Sequence, residues 1–216
     1  MTKRLPAHLQ ITTEPIADPK AVVQYGYVRV TVLTSRLFRI EYEPTGDFDD
    51  RASQTFWFRK QPVPPYTHSG NRRSFTIETE HLTLTCTNTT KPLSAETLRV
   101  VLKSTGVVWR FGREENGNLG GPCRTLDNKD GALPPGHGLM SRDGWTVIDD
   151  ANAMVFNEES WLETRERNRD RIDRYFFGYG SDYQGCLRDF TRVAGSIPLI
   201  PRWALGNWWS RYWAYT

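Results

Sequence analysis

The chain has 216 residues, 28 Lys and Arg against 25 Asp and Glu for a net charge of +3, 38% hydrophobic residues and a mean hydropathy of −0.58. That length predicts one large domain or two small ones and is too short for a (β/α)8 barrel with an accessory domain, since the barrel alone takes about 250 residues. The composition excludes a membrane-embedded or disordered chain, and so small a net charge excludes nucleic-acid binding driven by electrostatics. Cys86, Cys123 and Cys186 form no Cys-x-x-Cys pair, so neither a disulfide framework nor a zinc site is signalled. With no secretory leader and no run of roughly 18 apolar residues, the expected location is cytoplasmic.

In chain order, alternation comes first. Val28, Val30 and Val32 share one face of 27–33, with Arg29 and Thr31 on the other. After Thr34-Ser35-Arg36, Phe38, Ile40 and Tyr42 point inward and Arg39, Glu41 and Glu43 outward, which predicts a β-hairpin. Further strands are expected at 54–58, 75–79, 82–86, 98–102, 107–111, 145–149 and 153–156. Turn-rich stretches such as 61–65 and 68–71 separate them. Many short strands with almost no helix predict an antiparallel sandwich.

Residues 114–144 break this rhythm with frequent Gly, three Pro and no strand pattern. Loops longer than about 12 to 15 residues inside a compact domain are usually functional or disordered, so the excursion is either part of a ligand site or a floppy insertion. The run 165–174 interleaves Arg with acidic residues and reads as a solvated hairpin or strand rim. From 181 the period becomes helical: Tyr183, Leu187, Phe190, Val193 and Ala194 share a face, Ser181 with Gln184 suggests a capping box, and Gly195 marks the stop of a helix over 182–194. The last sixteen residues hold Trp203, Trp208, Trp209, Tyr212, Trp213 and Tyr215. Such a cluster is either buried packing or a platform for stacking flat ligands.

The stretch Tyr179-Gly-Ser-Asp-Tyr-Gln-Gly-Cys-Leu-Arg-Asp-Phe-Thr191, the following Val193-Ala-Gly195 and Pro198-Leu-Ile-Pro-Arg-Trp-Ala-Leu-Gly-Asn-Trp-Trp-Ser-Arg-Tyr-Trp213 resemble the passage in glycoside hydrolase family 31 from an N-terminal sandwich into the first barrel strand. Asn118-Leu-Gly-Gly121, Arg124-Thr-Leu-Asp127 and Leu139-Met-Ser-Arg-Asp-Gly-Trp145 also resemble that family's N-terminal domain. The resemblance implies a galactose-mutarotase-like antiparallel β-sandwich over 1–180, a linker helix and connector over 181–197, and the first strand of an absent (β/α)8 barrel over 198–216. It also implies parentage in a retaining α-glucosidase or α-xylosidase.

Retaining glycosidases use two carboxylates about 5 to 5.5 Å apart. No Trp-x-Asp-Met-Asn-Glu-like motif occurs here, so the chain is expected to be inactive alone, with no catalytic residue, metal or cofactor of its own. By the same resemblance, the 114–144 excursion would line the plus side of the substrate site, with Arg124, Asp127 and Asp130 as contacts. A carboxylate suits that role because it accepts charge-assisted hydrogen bonds from adjacent hydroxyls. Its alternative for Asp127 is an Asx turn with Asn128. Tyr212 and Trp213 would lie near the C-terminal end of barrel strand one, where barrels carry their active sites.

The expected partners are an α-linked oligosaccharide or glycoside and the catalytic barrel, with no nucleic acid and no membrane, and association through the exposed 203–215 tail. His8, His68, His81 and His137 show no ligand spacing. A mutarotase-like activity would need a His and Glu pair in a cleft, which the sequence does not indicate. The reading from another class is a stand-alone carbohydrate-binding module.

Overall fold

A computed structural model describes residues 5–122, 130–166, 170–197 and 199–206. In chain order the strands are β1 (Val22–Tyr25), β2 (Val28–Thr34), β3 (Leu37–Tyr42), β4 (Tyr66–Gly70), β5 (Phe75–Thr79), β6 (Leu82–Cys86), β7 (Leu98–Leu102), β8 (Val108–Arg110), β9 (Thr146–Asp149), β10 (Val155–Phe156), β11 (Leu162–Glu163) and β12 (Ile172–Phe177), followed by helix α1 (Tyr183–Ala194). One five-stranded sheet has the order β1-β2-β3-β12-β9 and the other β4-β5-β6-β7-β8, while β10 and β11 form a separate hairpin. Every pairing between these strands is antiparallel. Among the described residues, no helix is long and apolar enough to cross a membrane.

The two large sheets face each other, as an all-β sandwich requires. Val28, Val30, Val32, Phe38, Ile40 and Phe176 of the first sheet meet Ile77, Leu84, Val100 and Trp109 of the second in one buried cluster. The second sheet turns Glu78 and Arg99 to water, so its alternation is the expected one. Strands 82–86 and 98–102 fall where the alternation places them, and 107–111 and 145–149 are each trimmed by one or two residues. Deleting a buried side chain such as Leu84 would cost about 2–5 kcal/mol.

Four expectations need correction besides the 68–71 turn, most of which lies in β4 and pairs with β5. Arg39, Glu41 and Glu43 do not face water: they are 1%, 3% and 2% exposed. The first sheet is covered on its outer face too, by the 47–61 segment and by α1, and the charges there pair with one another. Second, 54–58 is not a strand; it is held by Gln54 N donating to Met154 O and by Trp57 N and Phe58 N donating to Val193 O. Its ring at Phe56 stacks on Tyr175 at 3.5 Å, so packing rather than a ladder shapes it.

Third, the charged run at 165–174 is only partly a solvated rim: Glu166 and Asp170 are exposed. It leads into β12, which pairs with β3 on one side and β9 on the other, and both Arg165 and Asp173 are buried. Fourth, the α1 cap is Asp182 rather than Ser181, its carboxylate accepting from Gly185 N at 2.9 Å. Leu187 is 48% exposed, whereas Cys186 and Val193 face the sheet. Gly195, at φ +103, ends the helix in a conformation that L side chains rarely adopt.

Candidate functional site

The excursion expected to reach a ligand leaves the second sheet after β8 and enters the first at β9. Its limbs run side by side, with Leu119 N donating to Met140 O, Arg142 N to Gly117 O and Gly121 N to Gly136 O. Asn118 and Ser141 form an antiparallel bridge. Gly138 lies directly against the carbonyl of Gly120, an approach that a Cβ would block.

Side chains lock the base of this ribbon. Glu115 has a side chain only 6% exposed, and its Oε2 accepts from Thr146 Oγ1 at 2.7 Å and sits 2.8 Å from His137 Nε2. Its Oε1 accepts from Asn118 Nδ2 at 2.9 Å. Asn118 Oδ1 in turn accepts from Gly120 N and Gly138 N, and Asp143 Oδ2 from Asn116 N and Gly117 N. Asn118 and Asp143 thus satisfy backbone that a strandless loop would leave without partners, while Glu115 ties the side chains together. The floppy-insertion reading does not hold for these limbs.

Of the five predicted contact residues, Asp130 is described, and it is exposed beside Gly131 at φ +89. Arg124, Asp127, Tyr212 and Trp213 lie outside the described residues. The structure does bring a His and a Glu together, His137 with Glu115. They bond directly to one another and Glu115 has both oxygens engaged, so the pair encloses no room for a sugar and serves as a structural clasp. Neither residue stands out in sequence, because 22 positions separate them; Asn118 was visible only as part of Asn-Leu-Gly-Gly. No group of three or more His, Cys, Asp or Glu that could hold a metal occurs among the described residues.

A second concentration of ionisable groups covers the outer face of the first sheet. Arg29 bonds both oxygens of Glu41 at 2.8 Å, and Arg39 bonds both oxygens of Asp173 at 2.8 Å. Arg165 bridges Asp173 at 2.9 Å and Asp150 at 3.3 Å. Arg59 donates from Nε to the Tyr175 hydroxyl at 2.6 Å and from Nη1 to three carbonyls. Burial, together with the charge of Asp173, pushes the Asp150 carboxyl up to about 6. Burial acts in the same sense on Asp173, but the guanidinia of Arg39, Arg165 and Arg59 outweigh it and hold that carboxyl well below the ordinary range. Arg29, Arg39 and Arg165 are paired with carboxylates, whereas Arg59 is held by a hydroxyl and carbonyls with its Nη2 buried and unbonded, and the arrangement joins β2, β3 and β12 to the 47–61 and 150–166 segments.

No family model matches the chain, and no curated protein matches it. Among solved structures it is similar to two of a Flavobacterium johnsoniae GH31 dextranase, one a variant complexed with isomaltotriose and the other complexed with glucose. Identities are 17% and 15%, both with a TM-score of 0.49 and with 83% of this chain covered. The chain spans 27% of the length of those dextranase chains, so the likeness is to a region of a GH31 enzyme.

Proposed function

We propose that the chain is the N-terminal, non-catalytic β-sandwich of a retaining α-glycosidase of the cytoplasm. In this reading 1–180 is a galactose-mutarotase-like sandwich, 181–197 the linker helix and connector, and 198–216 the start of the catalytic barrel. The observation that carries it is the apolar surface beyond α1: Ile197 is 83% exposed, Leu199 99% and Leu205 72%. Soluble proteins seldom leave such a run bare, and a barrel packed against it would cover it.

The chemistry would belong to the barrel, whose two carboxylates form and hydrolyse a glycosyl-enzyme with retention. The sandwich would contribute the 114–144 arm, whose limbs Glu115, Asn118 and Asp143 hold together at the base, with Asp130, Asp127 and Arg124 offered to sugar hydroxyls on the plus side. Tyr212 and Trp213 would wall the pocket of the cleaved sugar.

The chain as it stands should release no nitrophenol from 4-nitrophenyl α-glucoside. Reading the coding sequence onward from Thr216 should reveal a (β/α)8 pattern with a Trp-x-Asp-Met-Asn-Glu-like run a couple of hundred residues downstream. Turnover by the chain alone, or a stop soon after Thr216, would overturn the proposal.

A further inference from the structure

The β10–β11 hairpin and the N-terminal segment around Thr12 and Thr13 line an open cleft of about 490 Å³ that shares none of the 114–144 arm's clasp residues. That volume is within the roughly 300–1,000 Å³ typical of small-molecule sites. Its wall includes the Phe156 ring, which Trp57 steadies edge-on at 5.5 Å. Arg51 enters from one side, fixed there by Asp49 at 2.9 Å and by Glu163.

Apart from Asn157, the remaining polar side chains of the lining are uncommitted among the described residues. Thr12, Thr13, Glu158 and the Ser160 hydroxyl line the cleft and make no side-chain hydrogen bond to another described residue. Ser160 has φ +69 and is the one non-glycine residue with positive φ among those described. Asn157 secures this turn, its Oδ1 accepting from Glu159 N at 3.1 Å and Trp161 N at 2.9 Å. The hydroxyl is therefore carried on a braced turn.

The chemistry of this lining selects its ligand. Arg51 is already neutralised by two carboxylates, so among the described residues the charge at the rim without an ion-pair partner is Glu158, which disfavours phosphates and other anions. Three hydroxyls and one carboxylate complement a neutral molecule with closely spaced hydroxyl groups, and an aromatic wall complements its C–H face. We infer that the cleft between Thr12–Thr13 and the β10–β11 hairpin is a binding site for a neutral saccharide, separate from the arm of the proposed glycosidase. The site stands whether or not the glycosidase reading does, because none of its residues enters that reading.

The test is titration of the full chain with isomaltotriose and maltotriose, followed by calorimetry and by chemical-shift mapping, in wild type and in Thr13→Ala, Glu158→Ala and Asp130→Ala. Binding is expected with a dissociation constant on the order of 1 mM, with shifts centred on 11–15 and 156–160. Thr13→Ala and Glu158→Ala should weaken it at least fivefold, while Asp130→Ala leaves it unchanged. Both cleft variants are at or near the surface, and an unchanged thermal midpoint confirms that they are folded. Absence of binding up to 50-fold above that concentration would overturn the inference, as would loss only in Asp130→Ala. A saccharide affinity that falls steeply with added salt would also overturn the inference, because binding of a neutral ligand should not depend on ionic strength.

Discussion

Replacing Asp150 by Asn should stabilise the protein at neutral pH, although it removes a buried ion-pair partner. Asp150 is 1% exposed and its carboxyl is raised from 3.8 to about 6, by burial first and by Asp173 second. A folded-state value above the unfolded one means that the folded chain holds a proton the unfolded chain has released. The contribution of Asp150 to stability is thus complete below about pH 4 and lost as the pH rises through about 6. At 1.36 kcal/mol per pH unit, the loss by pH 7.5 amounts to about 3 kcal/mol.

Asn keeps the shape and an acceptor for Arg165 without the charge. The opposing effect is that breaking a buried pair costs about 3–5 kcal/mol when the partner is left uncompensated. Arg165 is not left so, since it retains Asp173 at 2.9 Å. The net expectation is about 1–3 kcal/mol of added stability at pH 7.5, shrinking towards zero at pH 4. Urea unfolding of both proteins at the two pH values measures it through the midpoint at constant slope. A variant less stable than wild type at pH 7.5 would refute the reasoning, because the Asp150–Arg165 attraction would then exceed the cost of confining the charge.

Glu115→Gln should loosen the base of the 114–144 ribbon, since an amide cannot accept at both oxygens; limited proteolysis and hydrogen exchange should show faster cleavage and exchange within 116–140, with sandwich strands unchanged. His81 works with the opposite sign to Asp150. Burial and Arg36 lower its pKa from 6.5, so its support for the fold, through Ser35 and Arg36, is present above pH 6.5 and is lost as the pH falls. The stability difference between wild type and His81→Asn should accordingly narrow between pH 7.5 and 5. Leu187→Lys should change stability by less than about 0.5 kcal/mol, whereas Val193→Ala on the buried face should cost about 2 kcal/mol, both readable from thermal midpoints.

Period-two alternation made the sandwich legible because one sheet has a wet face and a dry one. At β6 and β7 a residue's polarity reports its side directly. The rule failed for Arg29, Arg39, Glu41 and Asp173, which are polar and buried, because nothing local in the sequence says that the 47–61 and 150–166 segments will return to cover them. β12 was hidden for the same reason: its Asp173 and Arg174 read as solvent-facing, while the β3 partners that bury Asp173 lie more than a hundred residues upstream. Among the site residues, Asp130 was chosen by resemblance and is exposed, whereas the clasp of Glu115, Asn118 and His137 depends on bringing loop limbs about 20 positions apart into register, which alternation does not encode.

The placement of β12 between β3 and β9 also orders events during synthesis. Until residues 172–177 leave the ribosome, the β3 edge has no neighbour on that side and Arg39 lacks its bidentate carboxylate. Until then the nascent N-terminal hairpin is an open template whose Arg39 has only the Glu41 and Asp50 carboxylates beside it, a state in which premature release invites strand exchange between chains. Completion of a single late strand closes that edge and adds the bidentate Asp173 carboxylate in one step.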